Sequence, residues 1–169
     1  MLNPIYRLLK HLWLDEDDAR RTIPPDMLER LMRRVAASEK RHGGEIRICV
    51  EAGLPLSCLW RRASARDRAA ALFGELRVWD TEDNNGVLIY LLLADHAIEI
   101  VADRGLSNHV SPAQWQAMVA RMSGAFQQGC YEDGLTQALE ETSALLMEHF
   151  ALRAGQTNPN ELPDAPLLR

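Results

Sequence analysis

The sequence predicts one α/β domain in which a mixed sheet lies between helices. Three observations carry that prediction. Apolar residues recur at three and four positions in several long segments, the spacing of a helix with one buried face. Three short segments read as strands, and one of them, Val87 to Ala94, is continuously apolar, as in a strand buried on both faces. A helical segment separates the strand at 45–50 from the strand at 87–94, and such a crossover makes the two parallel.

The 169 residues suffice for one domain with a real core. Hydrophobic residues make up 47% and charged residues 25%, an ordinary globular balance. A net charge of −5 argues against nucleic-acid binding, which needs a basic face, and suits a protein that draws cations. Cys49, Cys58 and Cys130 are odd in number and show no Cys-x-x-Cys spacing, so neither a disulfide framework nor a zinc knuckle is expected, and a reducing compartment is. No signal-peptide pattern and no run of about 20 apolar residues is present. The expectation is a cytoplasmic chain without a transmembrane segment.

The elements follow in order. Leu2, Ile5, Leu8, Leu9 and Leu12 sit at helical spacing, with Arg7 and Lys10 off that stripe. Residues 1–22 thus form an amphipathic N-terminal segment, read as a helix docking on its own domain, with a membrane surface as the alternative. Asp15 to Asp18 reads as a solvated acidic loop. Pro24-Pro25 opens a helix whose stripe is Leu28, Leu31, Met32 and Val35, and Gly43-Gly44 stops it. Ile46, Ile48 and Val50 alternate along a strand that Gly53 and Pro55 end. Ser64 and Asp67 resemble a capping box ahead of a helix burying Ala69, Leu72, Phe73 and Leu76. The polar loop 80–86 leads into the strand 87–94, and a turn at Asp95-His96 returns the chain as the strand 97–102. Ser111-Pro112-Ala113-Gln114 starts a helix with the stripe Trp115, Met118, Val119, Met122 and Phe126. After Gly129 a last helix turns Leu135, Ala138, Leu139, Leu145 and Leu146 inward. The domain proper is expected over 23–152, with 153–169 a flexible tail rich in Pro and Asn.

Chain direction converts this order into a candidate site. The parallel pair places Glu45 and the loop 80–85 at one end of the sheet, and the antiparallel return brings Asp103 and Arg104 to the same end. Asp80, Glu82, Asp83, Asn84 and Asp103 are hard oxygen donors, and together they suggest a Ca²⁺ or Mg²⁺ site with no organic cofactor. The spacing is not that of an EF-hand. Glu132 and Asp133, at the start of the last helix, complement its dipole and are carried as additional candidates. Other chemistry is thinly supported. Arg41-His42-Gly43 reads as a basic helix end with a glycine stop, and Arg61-Arg62 beside Trp60 as an exposed basic loop. No Cys-x5-Arg loop, Gly-x-Ser-x-Gly elbow or P-loop lysine occurs.

Three motifs in sequence order carry a family resemblance. Asp83-Asn84-Asn85 followed by Gly-Val-Leu-Ile-Tyr-Leu-Leu-Leu-Ala at 86–94 is the first. Ile98 to Leu106 is the second, and Phe126 to Leu135, reading Phe-x-x-Gly-x-Tyr-x-x-Gly-Leu, is the third. Together they resemble the TPM domain of the TLP18.3/Psb32/MOLO-1 type over about 25–150, in the form of a cytoplasmic, single-domain bacterial-type member. The resemblance implies an α/β/α sandwich, divalent-cation binding by the acidic loop (here Asp80 to Asn84, with Asp83 and Asn84 foremost), and either an accessory role at membranes or acid phosphatase activity. The chain reads Val101 to Gly105 where relatives have a Gly-Tyr-Gly turn. The expected function is therefore a cation-binding, non-catalytic adaptor with a protein partner near the inner membrane face. The alternatives are a metal-dependent phosphatase on phosphate monoesters, in which the ion polarises a phosphoryl oxygen, and a purely structural partner-binding module.

Overall fold

A computed structural model describes residues 4–169, with side chains from Arg7 onward. The elements are α1 (Pro4–Trp13), α2 (Glu16–Thr22), α3 (Pro25–Glu39), β1 (Glu45–Glu51), α4 (Leu56–Trp60), α5 (Ala65–Glu75), β2 (Gly86–Leu92), β3 (Ala97–Ala102), α6 (Arg104–Ser107), α7 (Pro112–Gln127), α8 (Tyr131–His149) and β4 (Leu167–Leu168). The four strands lie in the order β3-β2-β1-β4. β1 runs parallel to β2 with Glu45 opposite Gly86, and β3 runs antiparallel to β2 with Ala102 opposite Val87. The mixed sheet and the chain directions are those the sequence predicts.

Side chains alternate across the sheet, so each strand feeds two cores. Ile46, Ile48, Val50, Val87, Ile89, Leu91, Ile98 and Ile100 meet Leu31 and Val35 of α3, Met118, Met122 and Phe126 of α7, and Leu135, Ala138, Leu139 and Leu146 of α8. Cys49, Leu88, Tyr90 and Leu92 meet Ala65, Ala69 and Leu72 of α5 on the other face. The result is an α/β/α sandwich. Every residue of β2 is buried, which is why its sequence is apolar without alternation. Among the described residues no helix is long and apolar enough to cross a membrane.

Three local expectations need correction, and two short helices were not foreseen. The acidic run is not a loop: Asp15 caps α2, accepting from the backbone N–H groups of Asp17 and Asp18, while Asp18 closes a capping box. Carboxylates at a helix start satisfy free N–H groups and oppose the positive end of the dipole. The short helices α4 and α6 have too few residues to show a period. The stripe of α1 is inverted, with Leu8, Leu9 and Leu12 outward and His11 buried. Leu2 and the side chain of Ile5 lie outside the described residues. Finally, the segment 153–169 is docked rather than loose. Arg169 donates its N–H to Val50 O (2.9 Å) and accepts from Ala52 N–H (2.8 Å), so β4 caps the open edge of β1. Arg47 donates to the carbonyls of Pro163 (2.7 Å) and Ala165 (2.6 Å), and Leu162 is buried. Long-range hydrogen bonds, not local propensity, order this segment.

Candidate functional sites at the two ends of the sheet

The rim predicted from chain direction exists. Asp103 donates its N–H to Gly86 O (2.9 Å), and Gly105 N–H reaches Asn84 O (2.9 Å), so the loop before β2 and the turn after β3 are in direct contact. The Asp-Asn-Asn-Gly motif is built as a clamp. Asn84 takes a left-handed φ of 52°. Asn85 donates its backbone N–H to Thr81 Oγ1 (3.1 Å) and its side-chain amide to Gly43 O (2.9 Å), tying the entries of β1 and β2 together. A Cβ at Gly105 would lie 2.4 Å from Asn84 O, and one at Gly86 1.9 Å from Val78 O. These glycines permit close backbone approach.

The rim carboxylates are less convergent than their backbones. Asp80, Glu82 and Asp83 are exposed, and Asp80 lies 3.9 Å from the guanidinium of Arg77. Asp103 Oδ1 accepts from Arg104 N–H (2.7 Å), whereas its Oδ2 is buried and has no hydrogen-bond partner. Among the described residues no three His, Cys, Asp or Glu side chains come together in a metal-holding group.

Glu132 and Asp133 do not join the rim. Glu132 forms a forked ion pair with Arg30 (2.8 Å for each nitrogen) and a further bond to Arg34 (3.2 Å), and the Arg30 hydrogen bonds hold its carboxyl below the usual range. Its neighbour Tyr131 stacks on His96 in the turn between β2 and β3, at the opposite end of the sheet. The helix α8 runs parallel to α3, so it is its C-terminus that reaches the rim, where Phe150 O accepts from Gly43 N–H (2.8 Å).

Glu161, absent from the sequence-based set, takes that place. Both its carboxylate oxygens accept from Glu82 N–H at 3.2 Å. Glu82, Asp83 and Glu161 line a cleft of about 760 Å³ together with Gly43, Arg153 and Thr157. No local signal marked Glu161, because its role depends on the docking of the C-terminal segment.

A second surface lies at the opposite end, where β1 and β2 finish. There α1 is held by polar contacts. Arg7 pairs with Asp95 (Nη2 to Oδ2, 2.8 Å). Leu54 N–H donates to His11 Nδ1 (3.0 Å), which leaves the His11 proton on Nε2 to bond Asp95 Oδ1 (3.1 Å). Burial pushes the Asp95 carboxyl up, but the bonds from His11 and Arg7 outweigh it and hold it well below the ordinary range. Because α1 turns these groups inward, Leu8, Leu9, Leu12 and Trp13 face out. The turn before α4 abuts α1, since a Cβ at Gly53 would lie 2.5 Å from His11 O. On α4, Leu56 and Trp60 are also exposed, followed by exposed Arg61 and Arg62. Trp13 and Trp60 each show 84% of their surface.

Three buried reactive groups elsewhere, His42, Cys49 and Glu51, are structural. Burial lowers the pKa of His42 to about 4, and its ring bonds Ser38 Oγ and Gly44 O. Burial pushes the Cys49 thiol up to about 12, the reverse of an activated nucleophile. Glu51 is enclosed by Arg68 (2.6 Å) and Tyr90 Oη (2.7 Å).

The family model of the TPM domain matches residues 17–145. The chain belongs to the TPM-domain family. Among solved structures, this TPM domain is similar to the BA42 protein of the psychrophilic bacterium Bizionia argentinensis, at 26% identity and a TM-score of 0.71, covering 84% of this chain and 92% of that one. The N-terminal domain of a protein from P. gingivalis shares the fold at 20% identity and a TM-score of 0.59, covering 75% and 80%. No curated protein matches the chain.

Proposed function

We propose that this TPM domain is a non-catalytic accessory module that docks on the cytoplasmic surface of a membrane through α1 and α4. The observation that carries the reading is the inversion of α1, whose Arg7 and His11 are spent on the domain and whose leucines and tryptophan face solvent. An exposed apolar helix face flanked by tryptophan suits the headgroup boundary of a bilayer. Lys10, Arg61 and Arg62 supply attraction to anionic headgroups, and the acidic start of α2 just after Trp13 keeps that end from sinking deeper. Vesicles of phosphatidylcholine with phosphatidylglycerol should sediment the protein and shift its tryptophan emission to the blue. The variant Trp13→Ala/Trp60→Ala should lose both effects. Absence of binding by the wild-type chain overturns the reading in favour of a protein partner.

The acidic rim supports a second, weaker role, a divalent ion held mostly through its own water. Asp103 Oδ2, buried beside the loop without a partner, favours it. The loop carbonyl of Asn84 is already engaged by Gly105, and the exposed Glu82 and Asp83 supply charge rather than a cage, so Ca²⁺ or Mg²⁺ would bind in the millimolar range, on the order of extracellular modules. An NMR titration with Ca²⁺ should move residues 80–86, 103–105 and Glu161 and leave 131–134 unmoved. A generic phosphate ester assayed with Mg²⁺, Mn²⁺ and Ca²⁺ tests the non-catalytic claim. Metal-dependent turnover that disappears in Asp83→Ala would establish a phosphatase instead.

A further inference from the structure

We infer that the segment from Gln156 to Arg169 is a proton-gated strap over the open edge of β1, docked while the carboxyl of Glu39 is protonated against Asp164 and loosened when that proton leaves to solvent. The inference does not depend on what the acidic rim or the face of α1 binds, although the strap also carries Glu161 to the rim.

The strap closes over acids. Glu39, at the end of α3, is 4% exposed and accepts from Ile46 N–H (3.0 Å). Glu45, at the start of β1, is fully buried. Its Oε2 accepts from Leu162 N–H in the strap (3.1 Å), and its Oε1 has no partner. Between strap and α3 lies a cavity of about 280 Å³ lined by Glu39, Asp164, Asn158, Asn160 and Lys40. The charged groups acting on Glu39 from β1 and the strap are acids, while Arg47 of β1 is engaged by the strap carbonyls of Pro163 and Ala165, and His42 in the turn after α3 is kept neutral by burial. Glu45 comes from β1 and Asp164 from the strap, and the strap's Glu161 faces Glu45 in turn. Lys40, next to Glu39 in the chain, is exposed.

Glu39 and Glu45 are both buried, so a second ionised carboxylate there is unfavourable and Glu39 keeps its proton. Burial is the main cause that pushes Glu39 up to about 8; the Ile46 N–H works against it, and Glu45 and Asp164 add to the rise. Opening the strap removes Asp164 and admits water, returning Glu39 toward its ordinary range. A group raised in the closed state holds that state fully below its open-state value, about 4.5. The hold is lost as pH climbs toward about 8 and does not change above it. The neutral fastenings remain at all pH: Asn158 donates to the carbonyls of His42 (3.1 Å) and Gly44 (3.0 Å), and β4 pairs with β1. The strap therefore loosens without the domain unfolding.

Hydrogen exchange on the full chain between pH 5 and 9, corrected for intrinsic rates, reads the opening constant at Ala52, Leu162 and Arg169. It should rise by at most about tenfold per pH unit and level off near pH 8, while Ile89 and Tyr90 in β2 stay constant. Glu39→Gln keeps an oxygen for Ile46 N–H and should remove most of the pH dependence of the strap amides, leaving only what Glu45 contributes through Leu162. A wild-type strap whose opening does not change with pH overturns the inference, as does a Glu39→Gln strap that follows the wild type. Should that variant not fold, carboxyl ¹³C titration of the wild type decides. Titration of Glu39 near 8 in step with the Leu162 methyl shifts supports the strap, and titration in the ordinary carboxylate range sinks it.

Discussion

At the scale of single residues, the strongest constraints are backbone approaches and one enclosed ion pair. Gly86 has no room for a side chain because Val78 O, a backbone atom, occupies the space. Gly86→Ala should lower the unfolding free energy by about 2–3 kcal/mol in a urea titration. A loss below about 0.5 kcal/mol would mean that the backbones separate freely. The enclosed pair gives a sharper contrast. Arg68→Met strands the Glu51 carboxylate and should cost about 3–5 kcal/mol. Tyr90→Phe removes one donor from Glu51 but leaves Arg68 in place, and should cost about 1 kcal/mol. Equal costs would show that charge is not what holds this part of the core.

At the scale of elements, α1 is the informative case. Sequence spacing put its leucines inward, and the structure puts Arg7 and His11 there instead, because Asp95 and Leu54 N–H offer partners that no leucine could satisfy. A buried polar group that finds its partner is not penalised, and exposed leucines are tolerated singly or serve an interface. Asp95 is depressed in the folded state, so its contribution is present above its unfolded value near 4 and is lost as pH falls below that point. Asp95→Asn should accordingly destabilise the protein at pH 7 and flatten the acid limb of its stability profile between about pH 4 and 2, measured by urea unfolding at each pH. A variant whose profile parallels the wild type would remove Asp95 as the anchor of α1. The long helices and the three principal strands were readable because each repeats a period several times. The elements α4, α6 and β4 were not, since a few residues show no period at all.

At the scale of the whole molecule, the acidic rim and the apolar face of α1 occupy opposite ends of one sheet, because β1 and β2 run the same way from one to the other. A protein lying on a bilayer through α1 and α4 holds the cleft of Glu82, Asp83 and Glu161 away from it. The two sites share no element that takes two positions, so binding at one should not alter binding at the other. Affinity for neutral vesicles should stay within about twofold between millimolar Ca²⁺ and chelator, and a larger change would show coupling through the sheet.

The sequence by itself determined the mixed sheet, its chain directions and hence the meeting of the loop 80–85 with Asp103 to Gly105. Those follow from strand and helix order and from the handedness of the crossover, which are local and sequential. It also carried the family, through motifs whose asparagines and glycines make the backbone clamp. Only the tertiary structure decided the rest. It sent Glu132 to Arg30 at the far end, brought Glu161 to the rim, turned α1 over, and closed the C-terminal segment on Glu45. Each of these depends on a hydrogen bond or ion pair between residues more than 40 positions apart, a distance at which the period of a sequence carries no information.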